Sequence, residues 1–259
     1  MQITVSSRKL RPILLGIMAL IIAAGLAVEV LRPIYKLKRR SGIVPLLSLS
    51  YEQNVPTWYS AALLLTCALL LAVIAAGARA LERAPAPAPA PAPAREELHV
   101  AHWWGLAAGF TYISLDEVVS FHEAASGLLT LSGVLYFSWV VPATALLLLL
   151  GLAYWKFLAH LPLPVRRRFL LCGGIYVAGA VGMELPLGYW TEREGNNNLG
   201  YALIDHVEEA LEMLGVNLFL LALVDYLGAQ GASVRFAKVQ AGSASTPEPV
   251  AEGAAEPNP

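Results

Sequence analysis

Six long runs of apolar residues, separated by short polar segments, dominate the sequence. They cover residues 12–31, 57–78, 100–122, 133–155, 169–190 and 205–228. Each run is close to the ~20 residues that an α-helix needs to cross ~30 Å of hydrocarbon. Backbone groups inside a membrane must hydrogen-bond within the protein, so the runs are predicted to be helices rather than strands. The sequence therefore predicts an all-α integral membrane bundle with about six transmembrane helices.

The composition agrees with this class of protein and restricts its partners. The chain is 57% hydrophobic and only 14% charged, whereas soluble domains are about 25% charged. Its formal net charge is −1, which gives no sign of a nucleic-acid-binding surface. We therefore expect the lipid bilayer as the main partner, and no nucleic acid.

The distribution of lysine and arginine predicts the orientation of the bundle. If the N-terminus is cytoplasmic, most of these residues fall on the cytoplasmic side, and the main exception is the basic segment 32–40. This follows the positive-inside rule, and it predicts a cytoplasmic N-terminus. Four tryptophans at predicted helix ends are expected to be interface anchors. They are Trp58, Trp103, Trp104 and Trp190.

Low-complexity segments divide the chain into parts. Residues 84–94 alternate alanine and proline, which favours an extended, semi-rigid spacer. The predicted parts are a two-helix N-terminal part at 1–78 with an outer loop at 32–56, a cytoplasmic linker at 79–99, a four-helix core at 100–228 that carries the acidic site, and a disordered cytoplasmic tail at 229–259. Within the outer loop, Glu52 and Asn54 are expected to be solvated.

Ionisable residues cluster in three of the predicted helices, where burial in a membrane makes them costly and therefore functional candidates. They are Asp116, Glu117, His122 and Glu123 in the third helix, Glu184 in the fifth, and Asp205, His206, Glu208, Glu209 and Glu212 in the sixth. Asp116, Glu184 and Glu212 each lie about 9 Å from the predicted outer end of their helix. At 100° per residue, the four acids of the sixth helix form one stripe. Asp116, Ser120 and Glu123 share a face of the third.

The three helices contain no lysine or arginine as drawn, so these acids cannot all ionise unless something compensates them. Either several are protonated, or a cation lies among them. Carboxylates with an imidazole suit a divalent metal such as iron, manganese, zinc or calcium. The predicted ligands are Asp116, His122, Glu184, Asp205, Glu208, Glu209 and Glu212. Glu117 or Glu123 is the predicted proton-transfer base.

A less specific interpretation exists for part of this set. Asp205 and Glu208 could simply lie at a solvated helix N-terminus, where acids are favourable. Three further histidines, His99, His102 and His160, fall near the predicted inner surface. We expect these to be interface residues outside the acidic site.

Three sequence strings resemble a known group of proteins. They are Tyr-Glu-Gln-Asn-Val-Pro-Thr-Trp-Tyr-Ser at 51–60, Ser-Leu-Asp-Glu-Val-Val-Ser-Phe-His-Glu at 114–123, and Glu-Glu-Ala-Leu-Glu-Met-Leu-Gly at 208–215. The chain resembles a family of uncharacterised bacterial multi-pass membrane proteins over most of residues 45–228. This resemblance supports the acidic site and implies a location in the bacterial inner membrane, but it supplies no reaction.

Three functions are compatible with the acidic residues. The first is a metal-dependent membrane enzyme that acts on a lipid or another hydrophobic substrate. The second is a cation or proton transporter that uses the same acids as binding sites. The third is a structural or assembly protein in which the acids hydrogen-bond one another. The inner halves of the third, fifth and sixth helices are mostly apolar, which favours a closed site over a pathway.

Overall fold

The computed structural model describes residues 6–39, 41–83, 99–125 and 129–231. All of these residues belong to one compact unit. Within these ranges every regular element is helical, which confirms the all-α prediction.

The described helices follow one another along the chain with short connections. They are α1 (Ser7–Tyr35), α2 (Ile43–Leu47), α3 (Val55–Arg83), α4 (Val100–Val119), α5 (Phe121–Ala125), a 3-10 turn (Gly133–Leu135), α6 (Val140–His160), α7 (Leu163–Val177), a π-helical segment (Ala178–Met183), α8 (Glu184–Glu194) and α9 (Leu199–Ala229). The π-helical segment joins α7 directly to α8, so the three form one long helix.

Five helical stretches in the described ranges are long and apolar enough to cross a membrane. They are Ser7–Tyr35, Val55–Arg83, Val140–His160, Leu163–Glu194 and Leu199–Ala229. They correspond to five of the six predicted spans. The remaining span forms α4, whose mean hydropathy is lowered by His102, Asp116 and Glu117.

The helix α4 ends earlier than the sequence predicts. Ser120 adopts a left-handed backbone conformation with φ of 59°, and its N–H donates to the carbonyl of Asp116 at 2.6 Å. The chain then turns into α5. The backbone N–H of His122, in the first turn of α5, donates to Asp116 Oδ1 at 3.1 Å. The predicted helix through residue 122 is therefore wrong, because the Asp116 carboxylate caps a second, separate helix. The predicted face shared by Asp116, Ser120 and Glu123 is interrupted at the same point.

Helices α1, α3 and α7 pack on α9, and α4 lies along α3. Two glycines allow the long helix to approach α9 closely. A side chain at Gly215 would meet the backbone of Cys172 and Tyr176 within 3 Å, and one at Gly179 would meet the carbonyl of Glu208 at 2.8 Å. Because there is no room for a Cβ atom, these glycines set the spacing between the two helices.

One predicted interface anchor belongs to the core. Trp103 is only 3% exposed and packs against Phe157, Phe169 and Tyr226. The expectation that it lies at the membrane surface is wrong, because neighbouring aromatic rings from α6, α7 and α9 enclose it. Trp58, by contrast, is strongly exposed, as an anchor should be.

A buried amide organises the turn between α2 and α3. Asn54 Nδ2 lies 2.6–3.2 Å from the carbonyl oxygens of Pro45, Ser48 and Tyr51, and its Oδ1 accepts from the N–H of Thr57 at 3.0 Å. The last contact caps α3. Asn54 is 8% exposed, so the expectation that it is solvated is wrong.

The predicted division of the chain into parts stays a prediction. The helix α3 continues to Arg83, past the expected boundary at residue 78. The alanine-proline stretch 84–94 and the tail from residue 232 onwards lie outside the described residues. The two helices before the linker pack directly on α4 and α9 from the part that follows it.

Candidate functional site

An aspartate–histidine pair lies where α4 meets α5. His122 Nδ1 lies 2.8 Å from Asp116 Oδ2, while the backbone N–H of His122 binds the other carboxylate oxygen. Both oxygens of Asp116 are therefore engaged with the same residue. This arrangement fixes the imidazole ring and makes Nδ1 the donor nitrogen when the ring is neutral.

The opposite edge of the imidazole faces the turn before α3. His122 Nε2 lies 3.9 Å from Glu52 Oε1. The ring plane of His122 also lies against Trp139, with ring centroids 5.1 Å apart. Trp139 Nε1 donates to Glu184 Oε1 at 2.9 Å. Glu52 was expected to be solvated, but its side chain is only about one-third exposed.

Acids from α4 and α9 meet beside this pair. Glu117 lies within electrostatic range of Asp116, His122, Glu209 and Glu212. Tyr176, from α7, lies within electrostatic range of Glu212. Side chains from three separate helices therefore converge at this point, because the close contact at Gly179 brings the π-helical segment against Glu208 and Glu212.

The remaining predicted acids adjoin this group. Glu208 interacts electrostatically with Glu184, Asp205 and Glu212, and both Glu184 and Glu208 are buried. Hereafter the acidic network means Glu52, Asp116, Glu117, His122, Glu184, Asp205, Glu208, Glu209 and Glu212. No Lys or Arg ion pair of Glu117, Glu208, Glu209 or Glu212 occurs among the described residues.

The helix α9 begins six residues before its predicted start at residue 205. The helix α9 begins at Leu199 because Asn198 caps it, accepting from the N–H of Tyr201 at 2.9 Å. Glu212 is therefore about 20 Å along the helix from that end, rather than ~9–10 Å. The depth of these acids below the membrane surface stays a prediction.

His206 belongs to a second polar group, which sequence analysis missed. It is buried and lies within electrostatic range of Glu29 in α1. Glu29 accepts from Ser48 Oγ at 2.7 Å and pairs with Arg32 at 3.3 Å. A glutamate inside the first apolar run was the signal that could have revealed this group. Glu29 thus has a basic partner in Arg32.

Two predictions about the network have no structural counterpart. The side chain of Glu123 lies outside the described part of the structure. Among the described residues, no three His, Cys, Asp or Glu side chains already surround a common point as metal ligands would. The metal ligands and the catalytic base therefore stay predictions.

An apolar cavity of about 590 Å³ lies on the cytoplasmic side of the network, as the bundle is predicted to be oriented. Its walls come from α4, α6, α7 and α9, and include Gly109, Phe110, Leu147 and Gly173. Tyr176 lines the cavity at the end next to Glu212. The cavity and the acidic network are thus continuous through one tyrosine side chain.

The three remaining histidines lie at the far end of the cavity. The ring of His99 lies 5.2 Å from that of His102 and 4.7 Å from that of His160, measured between centroids. Phe157 stacks on His102 at 5.5 Å. They are far from the acidic network along the helices, so their exclusion from the predicted site agrees with where they lie.

One family model matches the chain, over residues 13–227, and its description is a domain of unknown function, DUF8692. No curated protein and no solved structure is significantly similar to the chain. The matched range contains every described membrane helix from α3 to α8, most of α1 and α9, and the whole acidic network. The chain therefore belongs to the DUF8692 family, whose function is unknown.

Proposed function

We propose that this protein binds a divalent metal ion in the acidic network and acts as a metal-dependent membrane enzyme on a lipid or another hydrophobic substrate. The observation that carries the proposal is the geometry of His122. Its Nδ1 is held by Asp116 at 2.8 Å, and its Nε2 faces Glu52 at 3.9 Å. Metal-binding histidines commonly donate their second N–H to a carboxylate in this way.

The spacing between His122 and Glu52 supports an ion between them. At 3.9 Å the two atoms are too far apart for a direct hydrogen bond. Nitrogen and oxygen ligands about 2.0–2.2 Å from one metal ion lie about 3–4 Å from each other. Glu117, which is within electrostatic range of both residues, is the natural third ligand. This proposal gives Asp116 a positioning role in place of the ligand role predicted from the sequence.

The charge of the neighbouring acids also favours a cation. Glu117, Glu209 and Glu212 have no Lys or Arg ion pair within the described ranges, and they lie inside a membrane bundle. A divalent ion would offset like charges that could otherwise be accommodated only by protonating several of the acids. Because an imidazole is among the ligands, iron, manganese or zinc fits better than calcium.

The cavity next to the network supports a hydrophobic substrate. A bound divalent ion would supply Lewis-acid chemistry or an activated water. The chain itself would place a substrate against Tyr176 and Glu212, where Glu212 is the group best placed to move a proton. Glu117 then serves as a ligand, and the proton-transfer role predicted for it passes to Glu212.

The transport hypothesis fits the same residues less well. A cation or proton pathway needs polar groups that continue from the acidic network toward the opposite membrane surface. Beyond Tyr176, the described surfaces of α4, α6 and α7 that face the cavity are almost wholly apolar. This favours a closed site.

Metal analysis of the full-length protein, purified in mild detergent, tests the proposal. Wild type is compared with Glu117→Gln and His122→Ala, and with Glu194→Gln as a matched control on the exposed end of α8. We expect bound metal in the wild type and in the control. The metal content of the two site variants should be at least about tenfold lower. Folded wild-type protein that binds none of the added iron, manganese or zinc would exclude the metal site. Proton flux in liposomes that Glu117→Gln abolishes would favour transport instead.

A further inference from the structure

We infer that the apolar cavity binds one hydrocarbon chain of a lipid, which enters from the membrane between α4 and α6 and presents a neutral or cationic polar end to Tyr176 and Glu212. The cavity volume of about 590 Å³ falls within the ~300–1,000 Å³ of small-molecule sites. The inference that a hydrocarbon chain binds depends only on the cavity. The inference that this chain belongs to the substrate rests on the proposed function.

The shape of the cavity matches one chain. It runs from Gly105 to Ile113 along α4 and from Phe169 to Val177 along α7. Eight residues at the helical rise correspond to about 12 Å. One leaflet of a bilayer, which is a single chain in depth, contributes about half of the ~30 Å hydrocarbon core. The cavity is therefore about as long as the hydrocarbon part of one lipid.

The middle of α6 leaves an opening toward the membrane. This helix buries only Val140 at one end and Phe157 near the other, and all of its residues are described. Between these points its leucines are largely exposed, including Leu148, Leu149 and Leu152. A helix that is attached near its ends and stands away from the bundle in between gives a lipid chain lateral access.

Four glycines line the cavity at positions where helix packing does not require glycine. A Cβ atom at Gly109, Gly151, Gly173 or Gly174 would meet nothing within 4 Å. Glycine in a helix costs about 0.5–1 kcal/mol relative to alanine. Gly179 and Gly215 offset this cost through close helix contact, whereas these four are exposed and line the open space of the cavity. A chain lying in that space explains all four.

The two ends of the cavity set the direction of the bound chain. At one end Tyr154 donates its hydroxyl to the carbonyl of His102 at 3.1 Å, beside Phe157. At the other end the cavity is lined by Tyr176, which adjoins Glu212 of the acidic network. The polar end of the lipid therefore belongs at Tyr176. The acidic surroundings repel an anionic head group when no metal is present, so a neutral or cationic group is favoured.

Photolabelling in lipid nanodiscs tests the inference. The probes are a long-chain alcohol, amine and carboxylic acid of equal length, each with a diazirine at the chain terminus. Full-length protein without added metal is labelled, digested, and the labelled peptides are identified by mass spectrometry. We expect the alcohol and amine to label α4 and α7 within the cavity, and the acid to label them about tenfold less.

Cavity-filling variants supply the control. Gly109→Leu and Gly173→Leu place side chains in the cavity from two different helices, and we expect each to reduce labelling about tenfold. Gly77→Leu is the matched control, because Gly77 lies outside the cavity lining and also has nothing within 4 Å. Equal labelling of all three variants would show ordinary bilayer contact and overturn the inference. Equal labelling of wild type by the acid and the amine would overturn the head-group assignment.

The metal content of the same variants separates the two proposals. Gly173→Leu should retain wild-type metal content while losing the bound chain. If labelling is specific but no metal binds, the chain site stands and the proposed enzyme site fails. If metal binds but labelling is unspecific, the enzyme site stands without this chain site.

Discussion

At the scale of single residues, Asp116 connects the fold to the candidate chemistry. One carboxylate oxygen holds the backbone of His122 and the other holds its ring. The first contact starts α5, and the second sets which ring nitrogen faces Glu52. Both residues could be picked out from the sequence as site candidates. The capping and ring-orienting roles of Asp116 could not be predicted from it. They depend on the left-handed conformation of Ser120, which nothing in the local sequence signals.

Asp116→Asn tests the positioning role. The amide oxygen can still accept from the backbone of His122, so the helix should form, but the charge that orients the imidazole is lost. We expect metal affinity to fall about 10–100-fold with little change in thermal stability. Competition with a chelator measures the affinity. Asp225→Asn, which affects a surface ion pair with Arg168, should leave the affinity unchanged. Equal affinity in both variants would contradict the role of Asp116.

Asn54→Ala tests the buried amide before α3. The substitution leaves backbone carbonyls and the Thr57 N–H without their partner inside the protein. We expect the midpoint of thermal unfolding in detergent to fall by about 5 °C, since each buried polar group left unsatisfied costs about 1–3 kcal/mol. Asn197→Ala, at an exposed position, is the control. A midpoint that does not move in Asn54→Ala would show that the turn is held by other contacts.

At the scale of helices, the packing of α7 and the π-helical segment on α9 brings the acids together. Gly179 and Gly215 allow this contact, and the wide turn at Ala178–Met183 precedes Glu184. Pro186, which has no backbone N–H to donate, follows this irregular segment. A π-helical turn was not predicted, because apolar periodicity hardly changes when one extra residue enters a turn.

Gly179→Ala tests this helix contact. The added Cβ atom would lie 2.8 Å from the carbonyl of Glu208 and 2.9 Å from Glu212 Cγ, so the helices must separate. We expect destabilisation of about 1–3 kcal/mol, together with weaker metal binding because Glu212 moves. Gly182→Ala, in the same segment with its nearest atom at 3.8 Å, should be tolerated. The prediction would be contradicted if the two variants had the same unfolding midpoint and the same metal content.

At the scale of the whole molecule, the number of membrane crossings depends on α4. Its polar residues lower its mean hydropathy, yet it packs extensively against α3. Sequence analysis predicted the class, the number of long helices and most of their bounds, because a span in lipid needs a fixed length of apolar chain. It could not predict which helices are neighbours, because any apolar face suits lipid as well as protein.

The count of spans has a direct consequence for topology. If α4 crosses the membrane with the five more apolar helices, the number of crossings is even, and both chain termini lie on the same side. We expect epitope tags at the two termini to be protected from added protease together in sealed vesicles of one orientation, and digested together in the other. Digestion of one tag with protection of the other would show that α4 does not cross.

The open glycines on α4, α6 and α7 separate two properties that are usually linked in a membrane bundle. A larger side chain at any of these positions shortens the space available to a guest molecule while leaving the contacts between helices intact. Selectivity for chain length can therefore change by single substitutions, without any repacking of the scaffold. A protein built in this way can diverge in what it accepts long before it diverges in how it folds.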